Sequence, residues 1–180
     1  DYSQIELRVL AHLSQDDALL EAFHKGEDIH SATASMMFDV PIGEVSVDHR
    51  RIAKILNFGV IYGLSAFGIS QQTEFSPDEG RRFIETYFAK YPGIQIYING
   101  LKEKVRETGY VETILGRRRY IPEVEASNYV VRQAGERMAI NMPVQGTAAD
   151  ILKLAMVRIH RRLEDSDLQA KMLLQVHDEL

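Results

Sequence analysis

The sequence has no cysteine in its 180 residues. This absence excludes disulfide bonds, thiolate metal sites and a cysteine nucleophile, and it fits a reducing compartment, so we expect a cytoplasmic protein. Long apolar runs are missing as well, because none approaches the roughly 20 residues that a membrane-spanning helix requires. We therefore expect no membrane partner.

Composition is otherwise that of an ordinary globular chain, with 45% hydrophobic and 26% charged residues. A chain of this length can form one sizeable core or two small subdomains. The net charge of −5, from 21 basic and 26 acidic residues, argues mildly against nucleic acid as a partner. The basic residues nevertheless cluster at positions 50–54, 117–119 and 158–162. Such clusters favour a solvated face, and a local basic groove is the alternative.

Helical signals dominate the sequence. Helices are predicted over residues 3–12, 19–23, 29–38, 48–63, 76–90, 95–108 and 126–163, the last interrupted near Pro143 and Gly146. Asp28 and Asp48 are candidate N-caps, and Ser76 followed by proline is a strong start signal.

Signals for strands are few. Alternating apolar residues and Gly116 predict a β-hairpin over residues 110–122. Two further strands are predicted over residues 171–180, with His177 and Asp178 at their turn. The fold class is therefore α+β and mostly helical.

The helix predicted over residues 48–63 has two different sides. At about 100° per residue, one stripe collects Arg50, Lys54, Phe58 and Tyr62, and the opposite side collects Ile52, Leu56 and Val60. Cations near a helix N-terminus oppose its dipole at a cost of about 0.3–1 kcal/mol, which makes sense if an anion such as a triphosphate binds there. Rings one or two turns further along suit a stacked base. The spacing alone fits an ordinary amphipathic helix equally well.

The residues of this helix carry a family resemblance. Residues 50–63, Arg-Arg-Ile-Ala-Lys-Ile-Leu-Asn-Phe-Gly-Val-Ile-Tyr-Gly, resemble the fingers-helix motif of family A, DNA polymerase I-like, enzymes. Residues 1–8 resemble the first palm motif of that family, and residues 176–179 resemble its last. Residues 28–30 and 141–150 match as well, so the resemblance covers essentially the whole chain in the family's order.

The resemblance implies a partial right-hand polymerase fold, with the fingers and part of the palm. Residues 1–27 would form the first part of the palm, residues 28–125 the fingers, and residues 126–180 the second part of the palm with its long helix and catalytic hairpin. The sequence begins on one catalytic aspartate and stops two residues after the other, so we expect a fragment that is inactive in isolation.

The implied reaction is template-directed DNA synthesis, the transfer of a deoxynucleotidyl group from a dNTP to a primer 3′-OH with release of pyrophosphate. Asp1 and Asp178 would have to converge, and two adjacent carboxylates repel unless cations hold them together. In similar enzymes two Mg²⁺ ions do so, with Mn²⁺ as a substitute, and the Tyr2 carbonyl is a further metal ligand. Glu179 is implied as a catalytic neighbour of the metals.

The resemblance also implies which residues bind the incoming dNTP. They are Tyr2, Gln4, Glu6, His30, Arg50, Lys54, Phe58 and Tyr62. Lys54 would contact the α-phosphate and act as general acid toward pyrophosphate, because phosphoryl transfer needs charge neutralisation more than covalent help. Glu6 would exclude a ribose 2′-OH. Without the resemblance, His30 would be read as a core histidine.

Polar residues at a spacing of four are candidates for binding the DNA duplex. Arg137, Asn141 and Gln145 share a helical stripe, and long polar donors suit the minor-groove acceptors, which depend little on sequence. A solvated face is the alternative for this stripe. By resemblance His177 also contacts DNA, and Arg117 to Arg119 are candidates for template phosphates. The expected partners are primer-template DNA and dNTP, and the expected state is a monomer.

Two other functions fit parts of the sequence. A non-catalytic nucleic-acid-binding module would use the basic stripes alone, and metal-dependent incorporation by the complete parent chain distinguishes it. RNA synthesis, as in the related single-subunit RNA polymerases, is a second alternative, and Glu6 with the first motif favours DNA synthesis.

Overall fold

The structure is a computed structural model of the chain that describes residues 4–63, 65–176 and 179. The predictions made for Asp1, Tyr2, His177 and Asp178 lie outside these residues. Within them, no helix is both long enough and apolar enough to cross a membrane.

The described residues form eight α-helices, two short strands and two 3₁₀ turns. The helices are α1 Ile5–Ser14, α2 Asp17–His24, α3 Ile29–Phe38, α4 Val47–Ile61, α5 Ala66–Gln72, α6 Pro77–Lys90, α7 Pro92–Thr108 and α8 Tyr129–Glu164. The strands are β1 Tyr110–Glu112 and β2 Arg118–Tyr120, and the 3₁₀ turns are Ile42–Glu44 and Pro122–Glu125. The predicted mostly helical α+β class is confirmed.

Several helices begin where the local sequence predicts. The Asp28 carboxylate accepts from the Ser31 amide at 2.8 Å and caps α3. At α6, Ser76 and Glu79 form a reciprocal capping box in front of a proline at the first helical position. For α4 the prediction of Asp48 as the cap is wrong, because the Ser46 hydroxyl accepts from the His49 amide at 3.1 Å.

Other boundaries differ from the prediction because distant contacts override local signals. Helix α5 was not predicted, α7 begins three residues earlier than predicted, and α8 begins three residues later. The expected interruption of α8 near Pro143 is wrong, since the helix is continuous through that buried proline. In place of two strands over 171–180, the described residues there form one isolated bridge between Val176 and Glu179.

The main hydrophobic core surrounds α1. Leu7 and Leu10 are almost completely buried, and α1 packs against α4, α7 and α8. Burying a leucine side chain contributes about 1.5–3 kcal/mol, so this short helix is held by packing more than by helix propensity. A smaller core joins α7 and α8 to the hairpin through Val105, Val111 and Ala139.

The β-hairpin predicted over residues 110–122 is present, with its turn at Gly116. Strand β1 pairs antiparallel with β2, so that Val111 lies opposite Arg119, and Gly116 takes φ +81° in the connection. Helices α3 and α4 pack against each other, and a cleft opens between α1, α3, α4 and α8.

Candidate functional site

The cleft has a volume of about 540 Å³. Its lining includes seven residues that the sequence predicts for the site: Gln4, Glu6, His30, Arg50, Lys54, Phe58 and Gln145. They come from four separate segments of the chain, and the packing of α1, α3, α4 and α8 brings them together. Gln175 and apolar side chains from α1 and α8, among them Ile5 and Leu152, form the rest of the wall.

Helix α4 presents most of its predicted stripe to this cleft. Arg50, Lys54 and Phe58 all line it, while Leu56 on the opposite side is 2% exposed in the core. Lys54 is exposed and takes part in no ion pair within residues 4–63, 65–176 and 179. Its ammonium group is therefore available to an anion in the cleft.

Arg50 is held at the cleft by a two-pronged ion pair. Its Nε donates to Asp28 Oδ1 at 3.0 Å and its Nη2 donates to Asp28 Oδ2 at 2.9 Å. The hydrogen bond from Arg50 holds the pKa of the Asp28 carboxyl far below its usual value, with a further contribution from the Ser31 amide. Planar bidentate pairing fixes the orientation of the guanidinium group, which remains about half exposed.

His30 is both buried and part of the cleft wall. The residue is 3% exposed, and its ring lies 5.6 Å from the Phe58 ring. Burial lowers the pKa of His30; Asp28 opposes this, and the cationic side chains of Arg50 and Lys54 add to it. The imidazole is therefore neutral at pH 7 and can offer one N–H donor.

Behind His30 lies a buried polar network that the sequence did not reveal. Asn57 Nδ2 lies 3.1 Å from His30 Nδ1 and 3.0 Å from Thr33 Oγ1. The hydroxyl groups of Tyr87 and Tyr91 reach Asn57 and Thr33, respectively. The one available signal was the polar residue Asn57, which lies four positions from each of two apolar residues, Ala53 and Ile61, on the same side of the helix.

Glu6 and Tyr62 meet beside the cleft. The Tyr62 hydroxyl donates to Glu6 Oε2 at 3.2 Å. Burial first, and then the Glu6 carboxylate, raise the pKa of Tyr62, which remains 43% exposed. Tyr62 caps the end of α4 and does not belong to the residues that line the cleft.

The residues of the predicted polar stripe on α8, Arg137, Asn141 and Gln145, do not all line the cleft. Gln145 lines the cleft, whereas Arg137 lies outside it with its side chain packed against Gly63. A Cβ at Gly63 would come within 2.7 Å of Arg137 Cγ, and Gly63 has φ +65°, so both space and backbone conformation favour glycine there. Asn141 Oδ1 is buried and has no hydrogen-bond partner within the described part of the chain.

Residues near both ends of the described part of the chain line the same cleft. Gln4 and Gln175 both line it. Glu179 is exposed, and its backbone pairs with Val176 through two hydrogen bonds of 3.0 and 3.1 Å. No group of three or more potential metal-ligating side chains occurs among the described residues, and the predicted metal ligands lie outside them.

The sequence model of DNA polymerase family A matches residues 1–180. The chain belongs to DNA polymerase family A. Over its full length this family A chain is 56% identical to the thermostable DNA polymerase I of Thermus aquaticus and 52% identical to DNA polymerase I of Pseudomonas aeruginosa. It spans 21% and 20% of the length of these relatives, respectively.

The family A chain is also similar to a solved structure, the POL domain of Pol1 from M. smegmatis in complex with DNA primer-template and dNTP. The TM-score is 0.95 at 49% sequence identity, over 99% of this chain and 31% of that one. The family and the fold predicted from the motifs are confirmed.

A second polar cluster in the family A chain fixes the arginine-rich hairpin to α8. Asp150 is 5% exposed; Arg117 Nε donates to its Oδ1 at 2.8 Å and Thr113 Oγ1 donates to its Oδ2 at 2.9 Å. Burial acts to raise the pKa of Asp150, but these hydrogen bonds outweigh it and the pKa is lowered. The next arginine, Arg118, pairs with Glu112 at 3.3 Å.

Proposed function

We propose that the parent of this chain carries out template-directed DNA synthesis, transferring a deoxynucleotidyl group from a dNTP to a primer 3′-OH with release of pyrophosphate. The observation that carries this proposal is the cleft itself. It gathers Gln4, Glu6, His30, Arg50, Lys54 and Phe58, six residues that the family motifs assign to nucleotide binding. The primer-template and dNTP in the similar M. smegmatis structure support the same substrates.

The cations on α4 would bind the triphosphate. Lys54 has no intramolecular partner in the described residues, so its charge can stabilise the negative charge that develops at the transferring phosphate. Arg50 is oriented in advance by Asp28 and would hold the outer phosphates. His30 would add a hydrogen bond from its neutral ring.

The rings and Glu6 would select the nucleoside. Phe58 would contact the sugar and base, and Tyr62 would lie beside the template base at the C-terminus of α4. Glu6 would occupy the space next to the sugar 2′ carbon, where a ribose hydroxyl would clash. The hydrogen bond between Tyr62 and Glu6 supports this placement, because it restrains both side chains at one side of the cleft.

The metal ions would be held by the Asp1 and Asp178 carboxylates and the Tyr2 carbonyl, all oxygen ligands of the kind that Mg²⁺ prefers. Two Mg²⁺ ions, or Mn²⁺ in their place, would supply charge neutralisation and activation of the primer hydroxyl when bound. Gln4 and Gln175, each three positions from one of these aspartates, line the same cleft, which supports their convergence. Glu179 would be a catalytic neighbour of these metal ions.

Duplex DNA would lie along α8. Arg137, Asn141 and Gln145 would contact minor-groove acceptors, and His177 would contact the primer-template. In this scheme residues 1–27 and 126–180 belong to the palm, residues 28–125 form the fingers, and the enzyme acts as a monomer on primer-template DNA. Support comes from Gln145, which lines the same cleft as the residues proposed to bind nucleotide.

We propose further that the 180-residue chain is inactive in isolation. It spans about a fifth of the length of its relatives. Its C-terminal third also leaves large apolar side chains exposed, including Leu154 at 46%, Val157 at 48% and Leu173 at 86%. Such a surface suits contact with other parts of a longer protein.

Single-nucleotide incorporation by the complete parent enzyme tests the proposal. Asp1→Ala or Asp178→Ala is expected to lower the rate of the chemical step by several orders of magnitude while primer-template affinity is retained, because both carboxylates serve the metals. Asp167→Ala, an exposed aspartate after α8, is the matched control. A loss confined to DNA affinity would instead favour the non-catalytic binding module.

A further inference from the structure

The hydrogen atoms of the buried network behind the cleft can be assigned one by one. Thr33 Oγ1 has a single hydrogen and two acceptors within reach, and it donates to the nearer one, the Ile29 carbonyl at 2.9 Å, in preference to Asn57 Oδ1 at 3.2 Å. With its hydrogen on the Ile29 carbonyl, the Thr33 hydroxyl accepts from the Tyr91 hydroxyl at 2.9 Å and from Asn57 Nδ2 at 3.0 Å. The nearer end of the Asn57 amide, Nδ2, is then the donor to Thr33.

The same assignment extends to the histidine. One Nδ2 hydrogen of Asn57 is directed at Thr33, and the other is directed at His30 Nδ1, 3.1 Å away. The amide oxygen accepts from the Tyr87 hydroxyl at 3.2 Å. In this arrangement His30 Nδ1 is an acceptor and the ring proton resides on Nε2, the nitrogen left for the cleft that His30 lines.

The network also opposes protonation of the ring. An imidazolium would place an Nδ1 hydrogen against an Asn57 hydrogen, and both residues are buried. The charged groups facing the ring are Asp28, which favours the cation, and Arg50 and Lys54, which disfavour it. The remaining titratable groups, Tyr87 and Tyr91, stay neutral, because burial raises the pKa of Tyr91 to about 12 and raises the pKa of Tyr87 well above its usual value.

We propose that Asn57 is a positioning residue for nucleotide binding, which holds His30 as a neutral imidazole with Nε2–H as the donor to a phosphate oxygen. This inference rests on the proposed function of the cleft. Asn57 itself touches neither nucleotide nor DNA in this scheme, and it acts through His30. The result is a donor whose strength is constant across the physiological pH range, beside two groups that are permanently cationic.

The first test measures dNTP affinity in the complete polymerase bound to a template and a primer that ends in a dideoxynucleotide, between pH 6 and 8. Asn57→Asp supplies a carboxylate that accepts from Nδ1–H and favours the imidazolium. The dissociation constant of the variant is divided by that of the wild-type protein at each pH. This ratio removes the pH dependence that comes from protonation of the triphosphate, because it is the same for both proteins. We expect this ratio to change by about 3- to 10-fold across the range, with tighter binding by the variant at low pH. In the His30→Gln background the ratio is expected to be flat.

Thr33→Val provides a second test if Asn57 variants do not fold. It removes the acceptor that orients the amide, and we expect dNTP binding to weaken by about 2- to 10-fold, with no further loss when combined with His30→Gln. Thr86→Val, on the exposed side of α6, is the matched control. Equal losses with and without His30 would overturn the proposal, as would a flat Asn57→Asp ratio.

Neutron diffraction of the complete polymerase separates this inference from the proposed function. We expect density for a hydrogen isotope on His30 Nε2 and none on Nδ1. A proton on Nδ1 in an enzyme that binds dNTP normally would refute the role of Asn57 alone. An enzyme that does not bind dNTP would refute the proposed function, whichever nitrogen is protonated.

Discussion

The cleft wall on α4 and the hairpin of β1 and β2 each carry a group of cations, and the two groups have different partners. On the hairpin, Arg117 pairs with Asp150, which is 5% exposed, and Arg118 pairs with Glu112 while its guanidinium lies 4.6 Å from the Tyr110 ring. On α4, Arg50 has one partner at the edge of the cleft and Lys54 has none within the described residues.

This difference separates two uses of charge. A cation that is bonded to a buried carboxylate is committed to the fold, because breaking the pair leaves a charge that water cannot solvate. A cation that faces an open cleft without a partner is available to a ligand, and its removal leaves the fold unaffected. We therefore expect Arg117 to serve the structure of the hairpin, and we propose that Lys54 serves the reaction. The comparison can be tested at both sites.

The largest expected effect is on the chemical step. In the complete enzyme, Lys54→Ala is expected to lower kcat by about 100-fold or more, because it removes a charged donor from the developing negative charge. Arg50→Ala is expected mainly to raise KM for dNTP, since it would grip the outer phosphates equally before and during reaction. Steady-state kinetics with Lys90→Ala as an exposed control measure both, and identical profiles for the two variants would remove the basis for separate roles.

The next largest effect concerns stability. Asp150→Ala is expected to lower the free energy of unfolding by about 1–3 kcal/mol, because it leaves Thr113 and Arg117 without their acceptor. Denaturation of the complete protein, with Asp167→Ala as control, measures the change. The dNTP dissociation constant is expected to stay unchanged. Weaker dNTP binding without loss of stability would show that Asp150 and Arg117 belong to the nucleotide site. It would contradict the division between structural cations on the hairpin and ligand-binding cations on α4.

A smaller effect is expected at the sugar. Glu6→Ala is expected to raise the use of ribonucleotides relative to deoxyribonucleotides by about 10-fold or more, because a polar site rejects an added hydroxyl mainly by a steric clash. Competition between the two nucleotides measures the ratio, with Glu103→Ala on α7 as control. An unchanged ratio would mean that Glu6 serves only to bind Tyr62.

The smallest effect is a pH dependence of stability. Burial lowers the pKa of folded His30, so the unfolded chain takes up the proton first as the pH falls below about 6.5. The contribution of His30 is thus fully present above that pH and is lost as the pH falls toward the folded pKa. His30→Gln is expected to make thermal stability less sensitive to acid, whereas exposed His24→Gln is not. Parallel curves for all three proteins would contradict the assignment.

The cleft-facing stripe of α4 could be predicted from the sequence, because helical periodicity is a local property. Helix α5 could not, since it depends on α6: a Cβ at Gly80 would come within 2.8 Å of the Ala66 carbonyl oxygen, so glycine permits their close packing. The continuity of α8 has a similar cause. Gly146 was expected to interrupt the helix. It instead leaves room for Thr113 Cγ2, which would lie 2.7 Å from a Cβ at position 146.

The candidate site could be predicted only in part, because some of its contacts join residues that are distant in the sequence. Motif residues such as Lys54 and Glu6 could be named because each family motif is a contiguous stretch of the sequence. The partners of His30 could not, because Asn57 lies 27 positions from it and Tyr91 lies 58 positions from Thr33. The interpretation of His30 as a core histidine agrees with its burial, and its position in the cleft wall is compatible with the prediction that it binds nucleotide, which stays a prediction.

A crystal structure of the complete enzyme with primer-template and an unreacted dNTP tests the central claim most directly. We expect the triphosphate in the cleft between α1, α3, α4 and α8, with phosphate oxygens within hydrogen-bond distance of Lys54 Nζ, Arg50 and His30 Nε2, and the sugar between Glu6 and Phe58. A triphosphate bound elsewhere, with Lys54 and His30 free of it, would contradict the account.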